Sequence, residues 1–99
     1  MHVGYTPLFQ NPGDALPDRE VYRRELELAE MAEALGFDSV WSIEHHFTGY
    51  TMCPDVIEFL SYMAGKTRRI GLGSMVLVLP ELRSLRMSVP AFSVERTAD

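Results

Sequence analysis

Cysteine is all but missing from this chain, with Cys53 as its single representative. An internal disulfide is thereby excluded, and the composition suits a reducing compartment. A targeting signature is missing too: Met1-His2-Val3-Gly4-Tyr5 does not pass from basic to apolar to small residues as a signal peptide does. The cytoplasm is therefore the expected location. Long apolar runs are also lacking. The longest, Ile70 to Leu79, is about half of the roughly 20 residues a membrane span needs. Positive charge is scarce, with 9 basic against 14 acidic residues and a net charge of −5. That balance argues against nucleic acid or an anionic membrane as partner. The basic residues are scattered apart from Lys66-Thr67-Arg68-Arg69. This cluster is expected to cap a helix C-terminus, where cations meet the negative end of the helix dipole, rather than to hold a phosphate. Internal repeats and low-complexity segments are absent as well.

What remains reads as an ordinary globular chain, 46% hydrophobic and 23% charged over 99 residues. Such a length makes at most one domain. His2 to Leu8 alternates loosely and predicts a first strand, broken by Pro7. Phe9 to Pro17 carries the Gln, Asn, Pro, Gly and Asp of a loop. Asp18 is placed to cap a helix, with Glu20 in its first turn. Val21, Leu28, Ala32 and Leu35, flanked by Tyr22, Leu26 and Ala29, form an apolar stripe at helical spacing. Gly36 stands where a left-handed terminating residue is wanted. Phe37 to Ile43 predicts a second strand and Glu44 to Cys53 a loop. Pro54 is placed at the first position of a second helix, whose buried side is Val56, Ile57, Leu60, Met63 and Ala64. Ile70 to Leu79 predicts a third strand, apolar throughout as a parallel strand covered on both faces is. The order is βαβαβ, an α/β unit with a parallel sheet. After Pro80 the periodic signals fade and Pro90 breaks any helix, so the expectation for 81–99 is an irregular tail.

The chemistry concentrates in Glu44-His45-His46-Phe47, at the carboxyl end of the second strand, where α/β folds keep their active sites. Histidine titrates near neutrality and moves protons at working pH. Successive residues of an extended strand end point to opposite sides. His45 and His46 therefore face apart, and Glu44 shares a side with His46, where it is placed to fix that tautomer. From spacing alone, a pair of polar residues in an exposed loop is the preferred reading. No metal is expected, because His2, Cys53 and Asp55 form no ligand pattern. Gly71-Leu72-Gly73 lies inside a strand instead of at a strand-to-helix turn, so it predicts close backbone packing and not a dinucleotide fingerprint. Met52, Met63, Met75 and Met87 read as core filler.

Three segments carry a resemblance: Gly36-Phe37-Asp38-Ser39-Val40-Trp41, Glu44-His45-His46-Phe47, and Gly71-Leu72-Gly73-Ser74 running into Val78-Leu79-Pro80. In that order and spacing they resemble the N-terminal part of the bacterial luciferase-like flavin-dependent monooxygenases, over residues 1–80. The resemblance implies a (β/α)8 TIM barrel of which this chain supplies the first three strands. It implies that His45 is the active-site histidine assisting proton transfer, with Glu44 and His46 as orienting neighbours. It places Ser74, Met75 and Val76 against the flavin, with a non-proline cis peptide at Met75–Val76. The implied cofactor is reduced FMN from a separate flavin reductase, or a deazaflavin in some relatives. The implied reaction adds oxygen from O2 to an aldehyde or other small organic substrate.

The resemblance weakens after Pro80, where Glu81-Leu82-Arg83-Ser84-Leu85-Arg86-Met87 departs from the family pattern. The expectation is thus a truncated monooxygenase segment, residues 1–80, followed by a divergent tail that is frameshifted or disordered. A complete barrel takes about 250 residues and builds its phosphate site late in the chain, so the isolated 99 residues are expected to be inactive. The alternative is a non-catalytic interaction protein that pairs its open sheet edge with a homologous subunit as a homo- or hetero-oligomer. A small nucleotide-binding module ranks last, for want of a Gly-rich turn.

Overall fold

A computed structural model of the chain describes residues 1–45 and 50–76. The predicted order of elements is present: β1 (Gly4–Tyr5), α1 (Asp18–Ala34), β2 (Ser39–Ile43), α2 (Val56–Lys66) and β3 (Gly71–Val76). The strands form one parallel sheet in the order β1-β2-β3. β1 is only two residues long because Pro7, with no N–H to give, closes the ladder soon after it begins. The predicted continuation of β3 through Leu79 lies outside the described residues, as does the tail 81–99.

Each helix begins one or two residues away from expectation, for a visible reason, whereas α1 ends where Gly36 predicted. Asp18 was expected to cap α1, but Pro17 occupies the cap in an extended conformation. Its carbonyl accepts the N–H groups of Glu20 and Val21, so Asp18 acts only through the charge it places in the first turn. Pro54 does not open α2. Asp55 caps it instead, its Oδ1 accepting the N–H groups of Ile57 and Glu58 at 3.1 Å each. At the other end of α1, Gly36 adopts φ +89°. Its N–H reaches the Glu33 carbonyl and that of Phe37 reaches Ala32, a Schellman closure.

One side of the sheet is covered. Ala29 and Ala32 of α1, Val56, Phe59, Leu60 and Met63 of α2, Val40 of β2, and Phe9, Cys53 and Ile70 make a single core. Val21 and Ala32 of the predicted stripe are buried, with Ala29 and the half-buried Tyr22 and Leu26 beside them, whereas Leu28 and Leu35 are exposed. Small residues at the contact let the helix approach the sheet closely. On the opposite side of the sheet, Trp41 is 38% exposed and Met75 55% exposed. Met63 is core filler as expected, but Met75 is not.

The basic cluster serves two helix ends: Lys66 lies in the last turn of α2, and Arg69 reaches across to α1. Arg69 extends its guanidinium to the carbonyls of Glu33 and Phe37 at the end of α1. The Glu33 carboxylate answers by accepting the backbone N–H groups of Arg68, Arg69 and Ile70 at 2.7–3.1 Å. This two-way clasp joins the C-terminus of α1 to the entry of β3. Among the described residues, no helix is long and apolar enough to cross a membrane.

Candidate active site

The carboxyl ends of the three strands meet at the Thr6, Glu44–His45 and Ser74–Val76 segments. Along β2 and just beyond it, exposure alternates with the pleat: Trp41 exposed, Ser42 buried, Ile43 half-buried, Glu44 buried, His45 exposed. His45 thus continues the side of Trp41 and Ile43, away from the helices. Glu44, only 4% exposed, continues the helix-facing side of Ser42. The predicted opposition of neighbouring side chains holds for this pair, and His46 lies outside the described residues. The His45 backbone N–H is fixed by the Cys53 carbonyl at 2.9 Å.

On β3 the register slips. Ser42 faces Ser74, but Ile43 faces Val76, leaving Met75 as an extra residue in a bulge. Bulges re-aim side chains and gather beside active sites. Here Met75 projects exposed, with its Sδ 3.9 Å from the Thr6 hydroxyl, which donates to it. Ser74 is half-buried. The cis peptide implied at Met75–Val76 is a correction, since no peptide bond among the described residues is cis. The bulge is the local irregularity at that step.

Below this rim the sheet is floored by an indole. Trp41 lies over its register partner Gly73 and beside Gly4, and donates from Nε1 to Ser39 Oγ at 2.8 Å. The same oxygen is 3.0 Å from His2 Nε2. A Cβ on Gly73 would fall 2.5 Å from the Trp41 ring, so the glycine pair serves close packing, as its place in a strand predicted. On the helix side, Ser42 Oγ and Cys53 Sγ are 3.5 Å apart. Burial pushes the Cys53 thiol up, the charges of Glu44 and Asp55 add to this, and the Ser42 hydrogen bond offsets only part. It stays a protonated thiol at neutral pH, unsuited to nucleophilic attack.

Two contributions were not legible in sequence. Thr6 enters through strand adjacency across 69 positions. The segment Thr51–Cys53, predicted as plain loop, returns to the sheet end and supplies the acceptor for His45. Its one signal was apolar Met52 and Cys53 amid polar loop residues.

Parallel α/β folds build their sites beyond the carboxyl ends of the strands, and that is where His45 and the Met75 bulge lie. The family follows from comparison. The luciferase-like monooxygenase family model matches residues 1–88, and the chain belongs to that family. It is 34% identical over 67 residues to the alkanal monooxygenase alpha chain of Photorhabdus laumondii, an alignment covering 68% of this chain and 19% of that protein. It is 25% identical over 75 residues to the oxygenase component of the flavin-dependent trigonelline monooxygenase of Acinetobacter baylyi, covering 76% of this chain and 21% of that one. The crystal structure of the monooxygenase RslO1 from Streptomyces bottropensis superposes with a TM-score of 0.69 at 35% identity, covering 78% of this chain and 24% of that one. The chain spans about a fifth of the length of these curated relatives.

Proposed function

We propose that the chain supplies the histidine-bearing part of a luciferase-like flavin monooxygenase site. Its reaction is the oxidation of a small organic substrate by O2 with reduced FMN. The observation that supports this reading best is the placement of exposed His45 beside the Ser74–Met75–Val76 bulge, at the carboxyl ends of adjacent parallel strands. The side chains of His45 and Met75 with the indole floor suit the flat, mostly apolar ring of a flavin. They do not suit its phosphate. Arg68 and Arg69 lie at the opposite end of β3, and Arg69 is engaged by two carbonyls. The phosphate grip therefore comes from outside the described residues, and the isolated chain does not turn over by itself.

A bound flavin supplies the electrons and the oxygen chemistry. His45 gives or takes a proton at the exposed strand end, its backbone fixed by the Cys53 carbonyl. Glu44, buried behind it, lies on the other side of the strand, and His46 completes the orienting pair. Ser74, Met75 and Val76 line the ring. A separate reductase delivers the reduced flavin, and a deazaflavin would use the same surface. In a full-length relative, replacing the histidine that matches His45 by Ala should slow turnover by about 10²–10⁴, the usual share of a general acid–base group. In this chain, anaerobic titration with reduced FMN should quench Trp41 emission saturably, and His45→Ala should shift that titration to higher flavin concentration. Unchanged turnover and unchanged titration together would remove His45 from its role.

A second reading, pairing with a homologous subunit, is favoured by the exposed Trp41–Met75 face. β1 and β3 also each have a single strand partner among the described residues.

A further inference from the structure

Phe9 is a bulky aromatic residue in the left-handed region, φ +49°, and it is fully buried. Such a backbone is an outlier for this residue type and persists only where its surroundings enforce it. The enforcing contacts are visible. The ring lies 4.9 Å from that of Tyr22 and meets Phe59 edge-on at 5.4 Å. Burying the ring does not of itself require the strained backbone. The strain aims the Phe9 carbonyl at the Met52 N–H, 3.1 Å away. The Met52 carbonyl accepts the Tyr22 hydroxyl, and the Cys53 carbonyl, one residue on, accepts the His45 N–H at 2.9 Å. The Met52–Cys53 segment is thus clamped from two sides by the first loop and α1, and presents its next acceptor to the histidine.

We propose that Tyr22 is a positioning residue for His45, acting with the strained Phe9 backbone through the Met52–Cys53 segment. The proposal rests on the reading of His45 as the functional histidine. Tyr22 touches no reacting atom; it fixes the height and direction of the strand end that carries the imidazole.

Tyr62 provides an internal control. It lines the same groove between α1 and α2, but its hydroxyl donates to Glu30 at 3.0 Å and has no path to Met52. Tyr22→Phe and Tyr62→Phe each remove one oxygen and keep the ring. In the full chain, Tyr22→Phe should speed exchange of the His45 amide by about fivefold to tenfold, the loss of one hydrogen bond's worth of local protection. It should also move the His45 imidazole Cε1–Hε1 resonance and weaken reduced-FMN binding. Tyr62→Phe should leave all three unchanged. If Tyr22→Phe leaves the His45 amide and ring signals where they are while His45→Ala still weakens FMN binding, the positioning role falls and the functional reading stands. If Tyr22→Phe moves His45 but His45→Ala leaves FMN binding intact, the clamp stands and the functional reading falls.

Discussion

Gly73 and Trp41 are the residues whose packing is most sharply constrained. The Cβ of an alanine at position 73 would sit 2.5–2.9 Å from three atoms of the indole, inside any tolerable contact. The ring therefore has to leave the sheet, and its 38% exposure gives it room to do so. Forced overpacking of this kind costs about 1–3 kcal/mol. We expect Gly73→Ala to lower stability by that amount and to red-shift the emission of this sole tryptophan. Denaturant titration followed by fluorescence reads both, and an unmoved emission maximum would refute the packing. Cys53 offers the complementary case. Only 2% exposed, and held as a thiol by burial and by the charges of Glu44 and Asp55, it should react with a disulfide reagent only when the chain unfolds. Prompt labelling of the native chain at neutral pH would contradict its place in the core.

The α1–β3 clasp sets the pH response at the scale of the elements. Partial burial of Glu33 tends to raise its carboxyl pKa. The N–H groups of Ile70, Arg69 and Arg68, with the Arg69 charge, outweigh this and leave it below the ordinary carboxylate value. A carboxyl lowered in the folded state adds stability above its unfolded pKa and loses it as pH falls through the folded one. We expect Glu33→Gln to cost about 1–2 kcal/mol at neutral pH and to flatten the acid limb of the stability curve. An acid limb as steep as the wild type's would place the titration elsewhere. The clasp also shows where sequence reading stops. Strand and helix order was legible from periodicity, Gly36 from its left-handed role, and the His45 position from the end of an apolar strand. The basic cluster was legible as a helix cap, and Lys66 meets that expectation locally, but the carbonyls that Arg69 reaches lie 32 and 36 residues away, where no sequence pattern points. The α1 stripe was legible in part for a related reason: Val21 and Ala32 are buried with Ala29 beside them, but which edge of the stripe meets the sheet is set by tertiary packing, and Leu28 and Leu35 fall outside it. The bulge at Met75 left no trace in composition, since it arises from register against β2.

For the molecule as a whole, the unequal treatment of the two sides of the sheet matters most. Helices α1 and α2 bury one side, while the other presents Trp41 and Met75 to solvent beside strands with single described partners. Relatives about three and a half times as long have chain enough to cover such a side and to pair such edges. In isolation, an apolar sheet side and open edges are a template for another copy. We therefore expect the 99-residue chain to associate at tens of micromolar (about the range in which exposed patches find partners), with its Trp41 emission shifting to the blue as concentration rises. Light scattering joined to size exclusion should give at least twice the monomer mass. Charge on Met75 should oppose this association, so Met75→Lys should restore the monomer without unfolding it, because the side chain it replaces is exposed. A wild-type chain that stays monomeric, with an emission maximum independent of concentration, would show that the Trp41 side is tolerated in water as it stands. In that case the pairing reading would lose its physical basis, and the site at the strand ends would stand alone as the part of this surface that needs a ligand.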